Sequence, residues 1–197
     1  VSRGLGDVYK RQAVCSVTVR EPEPEYIAVE SLKITGSTKK VAPGKKITLK
    51  VNISPANADN QQVIWKVSNK KYASVNSKGV VTTKKAGKGK KVTVTAVSAE
   101  NGSIQATYKI SIMKNAVKKI KLTGKTTLKK GKSTTLKAKF TPSKNISKEL
   151  TWTSSNKKVA TVSSKGKVTA KKKGKVKITA KAKDGSGKKA TITIRVK

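Results

Sequence analysis

Most of this sequence is written twice. The stretch VIWKVSNKKYASVNSKGVVTTKKAG at 63–87 follows the same order of landmarks as ELTWTSSNKKVATVSSKGKVTAKKKG at 149–174. Trp65 answers to Trp152, Ser68-Asn69 to Ser155-Asn156, Ala73 and Val75 to Ala160 and Val162, and Gly79 and Gly87 to Gly166 and Gly174. Upstream, LKITG at 32–36 matches IKLTG at 120–124, Gly44 matches Gly131, and Pro55 matches Pro142. Downstream, KVTVTA at 91–96 matches KVKITA at 175–180. Two units of roughly 80–85 residues therefore follow one another. Each is long enough to close a small core of its own, so the repeat means two domains, 30–114 and 115–197, rather than a solenoid.

Within each unit the hydrophobic period is two. Ile47, Leu49, Val51 and Ile53 alternate with polar residues, as do Tyr108, Ile110 and Ile112 and, in the second unit, Ile192, Ile194 and Val196. Such alternation places one face of a strand in a core and the other in water. Turn residues punctuate the runs: Pro43-Gly44, Ser77-Lys78-Gly79, Asn101-Gly102, Lys130-Gly131, Ser164-Lys165-Gly166 and Asp184-Gly185. The pattern predicts an all-β chain, about seven short strands per unit in a sandwich or barrel. In unit 1 they fall near 32–36, 46–54, 62–68, 72–76, 79–84, 91–98 and 103–113. In unit 2 they fall near 118–124, 133–141, 149–155, 159–163, 166–171, 175–183 and 187–196. No window reads as a helix.

The run W-x-S-S-N-x-x-V-A-x-V-x-S-x-G-x-V-T-A-x-x-x-G, intact at 152–174, resembles the bacterial immunoglobulin-like group 2 domain. Unit 1 keeps the pattern at 65–87, with Val67 for the first Ser, Tyr72 for Val and Thr83 for Ala. The LKITG and IKLTG openings and the closing strands complete the likeness, which covers about residues 30–197. It implies tandem Ig-like β-sandwiches of a secreted or surface-attached bacterial protein, of the kind found in adhesins and in the accessory arms of extracellular enzymes. The family carries no catalytic residues to transfer.

Composition narrows function further. The chain has no His and a single Cys, Cys15, which removes His-based catalysis, His or multi-Cys metal sites and an internal disulfide. Its nine carboxylates are scattered, four of them at 21–30, and no glycosidase-like pair or cluster of calcium ligands is evident. No catalytic, cofactor-binding or metal-binding residue is expected, and no apolar run is long enough to span a membrane. The charge balance is extreme, 47 Lys and Arg against 9 Asp and Glu, for a formal net charge of +38.

Trp65 and Trp152, in the middle of alternating strands, are expected to pack in the cores with Leu49, Val94, Leu136 and Ile178. Ser68-Asn69 and Ser155-Asn156 are expected to close turns. The lysine runs sit in turns and at outward positions, where they oppose edge-to-edge aggregation and also set up a field that attracts polyanions. The candidate polyanion contacts are Lys84, Lys85, Lys90 and Lys91 in unit 1 and Lys171, Lys172, Lys173 and Lys175 in unit 2. Cell-wall polyanions and host or surface glycans are the expected partners. With four Arg and no aromatic residues interleaved among the lysines, nucleic acid is expected to bind only nonspecifically.

Residues 1–12 resemble a translated sequencing adapter and are set aside as non-native. Residues 13–20 alternate like the last strand of a truncated preceding repeat, and 21–29 form an acidic, proline-containing linker. The expected function is that of a non-catalytic spacer or stalk with strongly basic faces, outside the bacterial cell and monomeric within a longer chain, with any secretion signal upstream. The alternatives are a cell-wall anchor that binds polyanions or glycans, and an accessory arm of an extracellular enzyme. Only a few residues around Lys114–Val117 join the units, and so short a connection is expected to restrict their relative orientation.

Overall fold

The computed structural model describes residues 23–197. The leader at 1–12, the strand expected at 13–20 and Cys15 lie outside the described residues, as does the start of the linker.

Unit 1 contains β1 (Ser31–Gly36), β2 (Lys40–Val41), β3 (Lys46–Ser54), β4 (Val63–Val67), β5 (Ala73–Val75), β6 (Val80–Thr83), β7 (Lys91–Ser98) and β8 (Gln105–Ile112). They form two four-stranded sheets, β1-β3-β6-β5 and β2-β8-β7-β4. Unit 2 repeats the order with β9 (Lys119–Thr123), β10 (Thr127–Leu128), β11 (Ser133–Thr135), β12 (Lys137–Thr141), β13 (Leu150–Ser154), β14 (Ala160–Val162), β15 (Lys167–Ala170), β16 (Gly174–Ala182) and β17 (Lys189–Val196). Each unit is an Ig-like sandwich whose inward faces carry the apolar half of the alternation.

Two details depart from the pattern read in sequence. Each unit has an extra two-residue strand, β2 or β10, pairing in parallel with the closing strand β8 or β17. Two residues are too few to show a period, so the opening segment's switch from one sheet to the other was invisible. The window 133–141 is two strands rather than one, because the chain changes partner at Leu136: β11 pairs with β15 and β12 with β9. In unit 1, β3 makes the same change unbroken, pairing with β6 through Thr48 and with β1 from Leu49 onward.

Leu49, Val94, Leu136 and Ile178 are all buried. Unit 1 has one core, which includes Val41, Val81, Ile110 and Ile112. Unit 2 has a main core around Ile178, Ile194 and Leu136 and a smaller cluster of Val117, Ile120, Ile146 and Ala182 at the end nearest unit 1. Trp65 and Trp152 are half-buried and pack against the cores from the side. A Cβ on Gly79 would lie 3.0 Å from the Trp65 ring and 2.6 Å from the Leu49 carbonyl oxygen, and the backbone there is left-handed with φ of 71°. Gly166 takes the same place beneath Trp152. The Ser-Lys-Gly turn thus needs glycine twice over, for its conformation and for the indole above it.

Candidate functional site

The sharpest constellation of polar groups lies where the units meet. Residues 115–197 contain two acidic side chains, Glu149 and Asp184, and both are at this joint. Asp184 is fully buried in the hairpin between β16 and β17. Its carboxylate accepts the N–H of Val117, in the connection between the units, at 2.9 Å and that of Ser186 at 2.9 Å. Its main-chain carbonyl accepts the N–H of Ala42 in unit 1 at 2.8 Å. One residue therefore grips the connection, its own turn and the neighbouring unit together. The hairpin fits closely: a Cβ on Gly185 would lie 2.8 Å from the Lys46 carbonyl oxygen.

Glu149, just before β13, accepts the hydroxyl of buried Thr38 at 2.7 Å and pairs with Lys40 at 3.8 Å. The lysine and carboxylate are exposed, so the ion pair contributes about 0–1 kcal/mol. The hydroxyl bond to a charged acceptor is the stronger element. Tyr108, 8% exposed, donates its hydroxyl to the Thr38 carbonyl at 3.1 Å. Burial, then the nearby Glu149 carboxylate, pushes its pKa above the ordinary phenol value.

The receiving turn of unit 1 is itself braced. Buried Thr83 donates its hydroxyl to the Ala42 carbonyl at 2.7 Å and accepts the N–H of Lys45 at 3.0 Å. A cleft of about 440 Å³ remains beside the contact, lined by Lys46, Ile47, Thr151 and Lys181.

None of these joint residues was singled out in sequence as a functional group; Glu149 and Asp184 read as scattered carboxylates. A signal was present. Glu100 and Asp184 occupy the same place in the two units, each in the hairpin before the closing strand. Glu100 accepts the N–H of Val29, which leads into unit 1 as Val117 leads into unit 2. An acid recurring in register in a chain so poor in acids marks a position with a job.

The turn residues behave as their types suggest. Asn69 and Asn156 accept the N–H two residues on, at 2.9 and 3.0 Å. Ser68 and Ser155 accept main-chain N–H groups of Thr93 and Lys177. The lysines are exposed. Lys84 reaches the carbonyl of Lys70 at 2.8 Å, in the seam between β4 and β5. Lys85 lies in a short 3-10 turn, and Lys90 and Lys91 lead into β7 beside Ile112. Lys171, Lys172 and Lys173 connect β15 to β16, and Lys175 lies on the outer face of β16. Among the described residues no three His, Cys, Asp or Glu side chains come together as a metal site, and no helix is long and apolar enough to cross a membrane.

The model of the bacterial Ig-like domain (group 2) family matches residues 28–110 and 116–194. The chain belongs to this family: it is a tandem pair of its Ig-like domains. It is 32% identical over 142 residues to an Ig-like virion protein of Serratia phage KSP90, matching 71% of this chain and 54% of that one. It is 46% identical over 79 residues to the kappa-carrageenase of Pseudoalteromonas carrageenovora, matching 40% of this chain and 19% of the enzyme. The chain thus spans about half of one relative and under a fifth of the other. Among solved structures, the S-layer protein rSbsC(31-844) is similar with 17% identity and a TM-score of 0.35, over 88% of this chain and 28% of that one.

Proposed function

We propose that the chain is a spacer section of a longer extracellular or cell-surface protein, stiffened at the joint between its units. The observation that carries this reading is the placement of both acidic residues of unit 2 at the joint. A connection of a few residues restricts the units only loosely unless side chains bond across it. Here Asp184 holds the connection and the neighbouring turn at once, and Glu149 holds Thr38. A spacer needs that property: it transmits position only if its segments do not swivel. Its lysines keep exposed sheet edges from pairing with other chains, and they give the stalk a basic surface that suits anionic surroundings such as cell-wall polymers.

A second reading, the accessory arm of an extracellular enzyme, draws support from the similarity to a carrageenase. In both readings the mechanism is architectural.

Small-angle scattering of the whole chain, with distances between spin labels at Lys66 and Lys177, tests the spacer. A narrow inter-unit distance distribution that broadens in Asp184→Ala is expected. A broad distribution in the unaltered chain, or one that Asp184→Ala leaves narrow, would overturn the proposal.

A further inference from the structure

An open seam runs along each sandwich where its sheets end in β4 and β5, or in β13 and β14. In unit 1 it forms a groove of about 570 Å³. The Trp65 indole lines it, held by the close contact with Gly79. Three lysines from three elements border it: Lys66 on β4, Lys70 in the turn after β4 and Lys84 after β6. No acidic residue lines it. Gathering three cations around an aromatic side chain costs repulsion in the free protein that an anion would relieve.

We propose that this groove binds a linear acidic polysaccharide, with one sugar ring against the indole and its sulfate or carboxylate groups on the lysines. The C–H face of a pyranose is apolar and flat, and packs on an aromatic surface, while its charged substituents project outward. A single-stranded nucleic acid wants a succession of aromatic platforms, and this groove has one. An acidic peptide adding as a strand wants a long free edge, whereas β4 and β5 have five and three residues.

The repeat supplies an internal comparison. Unit 2 has the same groove at about 420 Å³, with Trp152 and Lys157. Thr153 stands there in place of Lys66, and the hydroxyl of Ser154 bonds across the seam to the Ala160 carbonyl at 2.7 Å, where unit 1 has Val67. Unit 1 is therefore the stronger site. The proposal does not depend on the stiffness of the joint.

The test titrates the whole chain at about 0.15 M NaCl with a sulfated galactan, a polyuronate, a neutral galactan, poly-glutamate and single-stranded DNA. Two triple variants with equal charge loss are compared: Lys66→Gln/Lys70→Gln/Lys84→Gln in the groove, and Lys33→Gln/Lys109→Gln/Lys121→Gln away from it. An acidic glycan is expected to lose about tenfold or more in affinity with the first triple and about twofold or less with the second, since only general charge is removed there. Trp65→Phe, which leaves Trp152 as reporter, is expected to lose most of the fluorescence response to glycan. Sulfated and uronate chains separate the two sources of the anionic group. Equal losses in both triples, or no acidic-glycan binding, would overturn the proposal. So would poly-glutamate or DNA showing the same groove sensitivity, which would reassign the site to that partner.

Discussion

The two units share the residues that make a sandwich and differ in the residues that make a joint. Leu49 and Leu136 both donate their N–H to the glycine carbonyl of the Ser-Lys-Gly turn, at 2.9 and 3.0 Å, and both indoles sit over that glycine. Two of unit 1's departures from the common pattern fall at its end facing unit 2. Thr83 replaces the alanine seen as Ala170 and braces the receiving turn, and Tyr108 replaces Ile192 and bonds to Thr38. Unit 2 departs at its end facing unit 1, where Glu149 and Asp184 stand against Gln62 and Glu100. At the outer end of unit 1 the residue matching Thr151 of the joint cleft is Ile64, which is 52% exposed. Repetition in this chain thus encodes the modules, and broken repetition encodes how they meet.

The largest effect should come from the shared part. Ile178→Ala and its counterpart Val94→Ala each empty a fully buried position. Ile178→Ala is expected to cost unit 2 about 3–4 kcal/mol, and Val94→Ala somewhat less because a smaller group is lost. Calorimetry should show the transition of the altered unit moving more than that of its neighbour. Equal movement of both would mean that the units unfold as one.

Asp184→Ala should follow at about 1–3 kcal/mol, because it leaves the Val117 N–H buried without its acceptor. Glu100→Ala, which loses a longer bond of 3.4 Å at an exposed residue, should cost distinctly less. If the two denaturation midpoints fall equally, the asymmetry between buried and exposed acids is wrong. Thr83→Ala, which makes unit 1 resemble unit 2, is expected to cost about 1–2 kcal/mol and to broaden the inter-unit distance distribution. The reverse change, Ala170→Thr, faces the matching turn at 129–132, which makes no hydrogen bond to the described residues of unit 1, and should leave that distribution as it was.

The phenol of Tyr108 gives a pH test without an equivalent in unit 2. Its folded pKa is raised, so its contribution is fully present below the unfolded value near 10 and is lost as pH rises through the folded value. Stability should decline in alkali more steeply for the unaltered chain than for Tyr108→Phe; parallel curves would show that the phenol does not contribute to the decline. The smallest effect is expected from Lys40→Gln. Its ion pair is exposed on both sides, and the change should alter stability by less than about 0.5 kcal/mol.

The sequence by itself determined the two sandwiches: the repeat, the period of two and the turn residues all act between near neighbours or within one strand. Most strand windows of the two units, the Asn and Ser turn contacts and the inward places of Leu49, Val94, Leu136 and Ile178 needed nothing more. The tertiary structure alone decided which hairpin meets which turn. Asp184 and Ala42 are distant in the chain, and no local preference marks a pair that becomes adjacent only once both sandwiches are closed and docked. The parallel strands β2 and β10 and the partner change at Leu136 are likewise products of closure, since two residues carry no period and a change of partner alters no side-chain pattern. The tryptophans show the same division. Alternation put them on the inward face, but only the position of β4 and β13 at the sheet edge made them the lining of a seam instead of the centre of a core.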